Sequence, residues 1–143
     1  VVQEFFQDLY TSQGHQPMDE LTNLVPRLVT ADMNEILDRP YTAEEVRVAL
    51  FQMAPSKAPG VDGFTAGFFQ RHWSLIKDDI IQAMLDFLHG GELPAGMNDT
   101  TITLIPKVRH PQRINQYRPI PLCPVHVQNC SQVYSKRVED LFG

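Results

Sequence analysis

A stripe of large apolar residues recurs at spacings of three and four in the middle of the chain. This is the period of an amphipathic α-helix, so the sequence predicts one long helix from about Thr65 to His89, ended by Gly90 and Gly91. The fold must therefore include a helical body that covers the stripe, which consists of Phe69, Trp73, Ile76, Ile80, Met84 and Phe87.

Capping signals predict shorter helices before this one. Thr42 and Glu45 form a capping box, so we expect a helix from there to about Met53, which Pro55 stops. A helix end is expected over 1–10, a polar loop over 11–26, and a short helix between Thr30 and Pro40. Tyr41 and Val46 lie at the positions of a hydrophobic staple. The residues expected to be buried by the capped helix are Val46, Ala49, Leu50 and Met53.

The last third of the chain changes character. Residues 100–105 alternate and are β-branched, and residues 117–122 form a second, shorter strand candidate. After Pro124, a last helix is expected over 127–141 with Val127, Val133, Val138 and Leu141 facing inward. The predicted fold class is α+β, mostly helical, with a small antiparallel hairpin near residues 100–122.

Charge is unevenly spread along the chain. The net charge of the 143 residues is −5, which argues against the whole chain being a nucleic-acid clamp. Residues 1–100 hold 6 basic and 15 acidic side chains, whereas residues 101–143 hold 6 basic and 2 acidic ones. Between Thr101 and Arg118 there are four basic residues and no acidic one. Such a local basic strip can bind phosphates even on an acidic protein, because screening confines each charge to about 8–10 Å. A solvated, arginine-rich loop is the alternative.

The segment from Lys57 to Gly63 is a glycine-bracketed turn ahead of the long helix. Pro59 fixes φ, Gly60 permits a positive φ, and Asp62 can accept hydrogen bonds from nearby backbone N–H groups. Such a loop can offer N–H donors beside the positive end of a helix dipole. An ordinary turn between two helices is the alternative.

Lys107 follows the first strand candidate and Arg118 lies just inside the second. Both would therefore lie at the same end of a hairpin, where a point cation and a planar guanidinium suit a triphosphate. A pair of unrelated surface cations is the alternative.

Taken in chain order, the glycine turn Lys57–Gly63, the segments Leu104–Val108 and Arg118–Cys123, and two further short motifs resemble the start of the reverse transcriptase domain of plant LINE-type (non-LTR) retrotransposons. The resemblance runs from about Leu28 to Leu141. It departs from the family pattern at Pro121, which removes a backbone donor from a strand, and between Pro124 and Gln132. The motifs are Lys57–Gly63, Phe68–Gln70 with His72 and Trp73, Gly91–Pro94, Leu104–Val108 and Arg118–Cys123.

The resemblance implies the fingers subdomain and palm entry of a right-hand polymerase, over residues 28–143, after an N-terminal helix end and loop over residues 1–27. It assigns nucleotide binding to Lys107 and Arg118, and a position near template and nucleotide to Gly60, Asp62 and Gly63. The implied partners are an RNA or DNA primer–template, dNTP and the remaining palm. The catalytic aspartates, which bind two Mg²⁺ ions, would follow Gly143, so we expect no cofactor, metal site or catalytic residue in this fragment.

Two other groups could suggest metal chemistry. Asp78 and Asp79 lie within the helical stripe, so they are expected to face solvent. Cys123, His126 and Cys130, with His110 as a possible fourth ligand, match no standard zinc spacing, so buried or incidental thiols are preferred.

The remaining sequence features restrict location and length. No apolar run is long enough to span a bilayer, no secretory segment follows Val1, and two cysteines make no disulfide framework, so we expect an intracellular protein of the nucleus or cytoplasm. Because the chain begins with Val rather than Met, its true N-terminus is expected to be missing.

Three functions stay open. The chain is a fragment of a reverse transcriptase that does not polymerise alone, a non-catalytic binding module for nucleic acid or protein derived from a transposon remnant, or an unrelated helical interaction domain. The last alternative predicts no hairpin at residues 100–122 and no proximity between Gly60 and Lys107.

Overall fold

The computed structural model describes residues 2–12, 14 and 28–142. In the described part, a single-turn 3-10 helix, Ile114–Gln116, precedes the second strand, and no helix is both long and apolar enough to cross a bilayer. The elements are α1 (Val2–Tyr10), α2 (Ala31–Asp38), α3 (Ala43–Gln52), α4 (Ala66–Arg71), α5 (Trp73–Leu88), β1 (Thr101–Pro106), β2 (Tyr117–Leu122) and α6 (Val125–Phe142). The helix expected over residues 1–10 is confirmed by α1, whereas most of the loop expected over residues 11–26 lies outside the described residues.

Capping residues set the starts of α2 and α3 as the sequence predicts. The Thr42 hydroxyl accepts a hydrogen bond from the Glu45 N–H at 3.2 Å, and the Glu45 carboxylate accepts one from the Thr42 N–H at 2.8 Å. Thr30 accepts from the Met33 N–H in the same way. These reciprocal bonds satisfy backbone donors that a helix start otherwise leaves unpaired.

The core surrounds α3. One side of this helix contributes Val46 and Ala49 to a cluster shared with α5 and α6, while Leu50 and Met53 pack on α4 and the start of α6. All four residues are buried, so the predicted inward face of α3 is confirmed. The other buried members are Ala66, Met84, Leu88, Val125, Cys130 and Val133.

The single helix predicted over residues 65–89 is wrong, because the chain breaks at His72. This residue ends α4 and begins α5, with φ −98° and ψ 13°. The side chain of Gln70 donates to the carbonyls of Leu50 and Met53, so α4 is fixed across the end of α3. In contrast, α5 packs along the side of α3. The axes of α4 and α5 therefore need different directions.

The inward face predicted for the last helix is also partly wrong. Val133 is buried, but Val138 is 46% exposed, and the buried positions of α6 include Asn129 and Arg137. The Asn129 side chain donates to the Val46 carbonyl at 3.2 Å. Polar groups with partners on α3 therefore occupy the face for which the sequence analysis expected valine and leucine.

The two strands form an antiparallel hairpin, as predicted. Thr101 lies opposite Leu122 and Ile105 opposite Arg118. No residue of either strand is buried, so the hairpin extends from the helical body instead of contributing to its core.

Candidate functional site

Residues 107–116 connect β1 to β2, and these residues together with Arg118 are hereafter the hairpin tip. The tip brings two of the predicted site residues together. The Lys107 N–H donates to the Gln116 carbonyl at 2.7 Å, and Arg118 is two residues beyond Gln116. Lys107 and Arg118 are therefore diagonal neighbours on one face, a relation in which Cα atoms lie about 7–8 Å apart. The expected shared location of these two cations at one end of a hairpin agrees with this geometry.

Hydrogen bonding differs between the two cations. The Lys107 ammonium donates to the Asn115 carbonyl at 3.0 Å, which directs it towards the connection. An ammonium has three donors, so two remain for an anion. Within the described chain, the Arg118 guanidinium forms no hydrogen bond or ion pair, and the residue is exposed.

Arg109 and Arg113 add to the positive charge of the hairpin tip. Both are exposed, and no acidic residue occurs between Thr101 and Arg118. Across the described residues, the ion pairs of the molecule lie on the helices and none involves these four cations. The tip is thus an unneutralised basic surface on an acidic chain, which favours an anionic ligand.

The glycine loop forms local hydrogen bonds of the expected kind, and its left-handed backbone conformation occurs at Gly63 and not at Gly60. Gly63 has φ +74° and donates to the Gly60 carbonyl at 3.2 Å, and the Asp62 carboxylate accepts from the Phe64 N–H at 3.2 Å. Gly60 does not use the positive φ that a glycine permits. Gly60 is required by close approach, because a Cβ atom there would lie 2.4 Å from the Pro124 nitrogen.

This contact places Gly60 at the base of the hairpin, beside the residues that follow β2. Arg118 is four positions before Leu122, a separation of about 13 Å along a strand. The structure therefore brings Lys107 and Arg118 together at the tip and places Gly60 at the opposite end. A single pocket formed by Gly60 and both cations is not present in this arrangement.

Backbone N–H groups at the start of α4, which a bound phosphate would need as donors, already form hydrogen bonds within the chain. The Gly67 N–H donates to the Pro55 carbonyl at 2.9 Å, and the Phe68 N–H donates to the Thr65 carbonyl at 3.0 Å. The loop therefore connects α3 to α4 and packs against the hairpin base, which agrees with the alternative of a turn between two helices.

The other candidate metal ligands do not converge within the described residues. Asp78 and Asp79 are exposed on α5, as expected from the helical period. Cys130 faces the core, where its thiol lies 3.4 Å from the Met84 sulfur and burial raises its pKa to about 11. His126 donates to the Met97 carbonyl. No group of three or more His, Cys, Asp or Glu side chains in the described part could hold a metal ion.

A buried charge network that the sequence analysis missed joins α6 to the start of α3. The Arg137 guanidinium donates to the Glu45 carboxylate at 2.6 and 3.1 Å, and lies 3.8 Å from the centre of the Tyr41 ring. Its hydrogen bond is the largest cause of the lowered pKa of Glu45, and burial raises the pKa of Tyr41 to about 12. The remaining guanidinium donors bind the carbonyls of Leu37, Arg39 and Pro40.

This network is structural, because its donors and acceptors satisfy one another. A sequence signal existed, since Arg137 is four residues after Val133 and so continues the buried stripe of α6. A charged residue in such a stripe indicates a buried partner.

Comparisons with known proteins connect the chain to a mobile element. No protein-family model matches it. Over 141 residues, which is 97% of the chain, it is 28% identical to the transposon TX1 uncharacterized 149 kDa protein of Xenopus laevis. The match spans only 11% of that protein's length. This chain is therefore related to part of a transposon-encoded protein.

Proposed function

We propose that this chain is the fingers part of a retrotransposon RNA-directed DNA polymerase, and that its hairpin tip contacts the phosphates of primer–template and incoming nucleotide. The observation that carries the proposal is the unneutralised cluster of Lys107, Arg109, Arg113 and Arg118 on a strand pair that extends from an acidic body. The relation to a transposon-encoded protein supports it.

The chemistry of the two main cations suits this role. Lys107 offers a compact charge with two free donors, and Arg118 offers a planar fork that can bind two phosphate oxygens together. Their diagonal placement on one face allows both to reach neighbouring phosphate groups of one ligand.

In this proposal the chain positions substrates, and other parts of a longer polypeptide supply the acids that hold Mg²⁺ for nucleotidyl transfer. Two metal ions would stabilise the attacking and leaving oxygens. Gly60 would act indirectly, by fixing the hairpin base against the glycine loop. We also propose that Asp62 and Gly63 lie near the template.

A second candidate is a non-catalytic module that binds nucleic acid and needs no other subdomain. It is favoured by the same tip, because the sequence-independent part of nucleic-acid affinity comes from cations meeting phosphates. The two candidates differ in the ligand. A polymerase part binds a free dNTP as well as a primer–template, whereas the module binds only the polyanion.

The test compares two double variants of the 143-residue chain. Lys107→Ala with Arg118→Ala removes two of the four tip cations, while Arg71→Ala with Lys77→Ala removes the same two residue types from exposed helix positions. Binding of a fluorescent primer–template is measured by anisotropy from 50 to 200 mM salt. We expect the tip variant to bind more weakly and to lose about two units of the slope of log affinity against log salt, and the helix control to match the parent.

Equal salt slopes for the parent and the tip variant would remove the phosphate role of Lys107 and Arg118. Titration with dTTP and Mg²⁺ then separates the two candidates. Binding of dTTP that is lost in the tip variant supports the polymerase part, whereas primer–template binding without dTTP binding supports the module.

A further inference from the structure

The two outer edges of the hairpin differ in their ability to bind another strand. In an antiparallel pair, residues alternate between positions that bond to the partner strand and positions whose N–H and C=O point outward. The bond from the Lys107 N–H to the Gln116 carbonyl fixes this alternation. It follows that Thr101, Thr103 and Ile105 bond to β2, and that Ile102 and Leu104 point outward.

The outer edge of β2 is blocked by proline. Pro119 lies opposite Leu104 and Pro121 opposite Ile102, at the positions whose nitrogens point away from β1. These prolines therefore cost no hydrogen bond within the hairpin, and they leave the outer edge with two missing donors. Proline on an edge strand is a recognised device against pairing with further strands.

Within the described residues, the outer edge of β1 remains open at Ile102 and Leu104, and it lacks a donor only at its last residue, Pro106. No hydrogen bond is formed by the N–H groups of Ile102 or Leu104 within the described chain, and Thr101 to Pro106 includes no charged side chain. The Ile102 side chain borders an open groove beside α1, and 45% of its surface is exposed. An exposed β-branched edge of this kind is a template for strand addition.

We propose that this edge binds the β1 strand of a second copy of the chain, antiparallel and with a two-fold axis through Thr103. Ile102 of each copy then lies opposite Leu104 of the other, and their outward backbone groups form four hydrogen bonds. Thr103 meets Thr103 of the second copy across the axis at a non-hydrogen-bonded position, where Thr–Thr pairs are favourable.

Charge complementarity selects this register. With the two-fold axis through Thr103, Lys107 is four residues after the axis and Asp99 is four residues before it. Lys107 of each copy therefore lies opposite Asp99 of the other. Asp99 is exposed and forms no ion pair within the described residues. Two opposite-charge pairs therefore flank the central threonines, and the basic hairpin tips lie at opposite ends of the dimer.

The blocked edge also explains why assembly stops at two copies. Pairing of β1 with β1 gives a four-stranded sheet whose outer strands are both β2. Since both outer edges are then proline edges, no further copy can add, and the interface closes with two-fold symmetry.

The first test is sedimentation equilibrium of the 143-residue chain over a hundredfold concentration range. We expect a monomer–dimer equilibrium in the parent. Ile102→Pro removes an outward donor without touching the hairpin ladder, and should abolish the dimer. Ile102→Ala keeps the donor and should dimerise more weakly than the parent. A parent chain that stays monomeric throughout, or an Ile102→Pro variant that dimerises like the parent, would overturn the proposal.

Symmetric cross-linking provides a second test that does not need the proline variant to fold. In a Cys123→Ser background, Thr103→Cys places two thiols across the axis at a Cα separation of about 4.5 Å, which a disulfide can bridge. Thr101→Cys, on the same face, is the control. In the proposed register the two thiols of this variant are four residue positions apart along the paired strands, so they are too far apart to bridge. Rapid oxidation of only the Thr103→Cys variant supports the axis, whereas equal oxidation of both variants refutes it.

A charge exchange tests the register. Asp99→Lys should weaken the dimer, because Lys107 of the other copy then meets a like charge, and Asp99→Lys with Lys107→Asp should restore it. An Asp99→Lys variant that dimerises as tightly as the parent contradicts the register. Loss of phosphate binding in tip variants would leave the strand pairing intact, since that pairing rests on the backbone groups of Ile102 and Leu104. Only the register shares a residue, Lys107, with the proposed phosphate site.

Discussion

The helical body and the hairpin are stabilised in different ways. In the body, α3 is surrounded by α4, α5 and α6, its apolar face is buried, and its Glu45 carboxylate pairs with the buried Arg137. In the hairpin, no strand residue is buried and the four cations of the tip have no acidic partner within the described chain. Groups that satisfy each other hold a fold together, whereas groups left unsatisfied at an exposed end are available to a ligand.

The largest expected effect of a substitution is in the body, at Arg137. Its replacement by Ala leaves the Glu45 carboxylate and three backbone carbonyls without their donor, so we expect a loss of about 3 kcal/mol in the free energy of unfolding. Urea denaturation monitored by circular dichroism measures it. The control is Lys136→Ala, whose partner Asp140 is exposed, and it should change stability by less than about 1 kcal/mol. Equal effects of the two variants would contradict the assigned role of Arg137.

The next effect is expected where the two regions meet. Gly60→Ala places a Cβ atom 2.4–2.7 Å from backbone atoms of Cys123 and Pro124. Because backbone must shift to accommodate it, we expect a loss of about 2 kcal/mol. Val61→Ala, at the neighbouring exposed position, is the control and should leave the unfolding midpoint nearly unchanged. A Gly60→Ala variant as stable as the parent would show that the loop does not contact the hairpin base.

A smaller effect is expected on acidification. The pKa of Glu45 is lower in the folded chain than in the unfolded one, mainly because of its hydrogen bond from Arg137. The unfolded chain therefore binds more protons as the pH falls, so this stabilisation is complete above pH about 4.3 and is lost as the pH falls through the lowered pKa. Glu45→Gln should be less stable than the parent at pH 7, by a margin that shrinks towards pH 3. A margin independent of pH would contradict the ion pair.

The smallest effect on stability is expected at the hairpin tip. Lys107→Ala with Arg118→Ala removes exposed groups that contribute little to packing, so the free energy of unfolding should change by less than about 0.5 kcal/mol. Thermal unfolding followed by circular dichroism is sufficient to measure it. A strongly destabilised variant would mean that the tip is part of the folded core, and the contrast between the two regions would fail.

Local sequence signals predicted most of the elements, because their causes lie within a few residues. Thr42 and Glu45 begin α3 by bonding to each other, and the alternation near Thr101 marks a strand whatever surrounds it. The basic strip was also visible, because its four cations lie within a short acid-free segment.

The wrong predictions concern positions whose structure depends on residues distant in sequence. His72 interrupts a stripe whose period continues on both sides, and the break depends on hydrogen bonds from Gln70 to the end of α3. The sequence indicates only that Gly60 permits a turn, whereas the need for glycine at this position comes from the backbone of Pro124. The helical period marks Arg137 as a buried position, but its partners are carbonyls about a hundred residues away in sequence, and the local pattern does not identify them.

Amide hydrogen exchange of the chain with and without a primer–template tests most directly the claim that the exposed hairpin binds phosphate while the body only supports it. We predict that added primer–template slows exchange over residues 101–122 and leaves the segments 43–52 and 73–88 unchanged. Slower exchange confined to those helical segments, with the hairpin unaffected, would contradict the account.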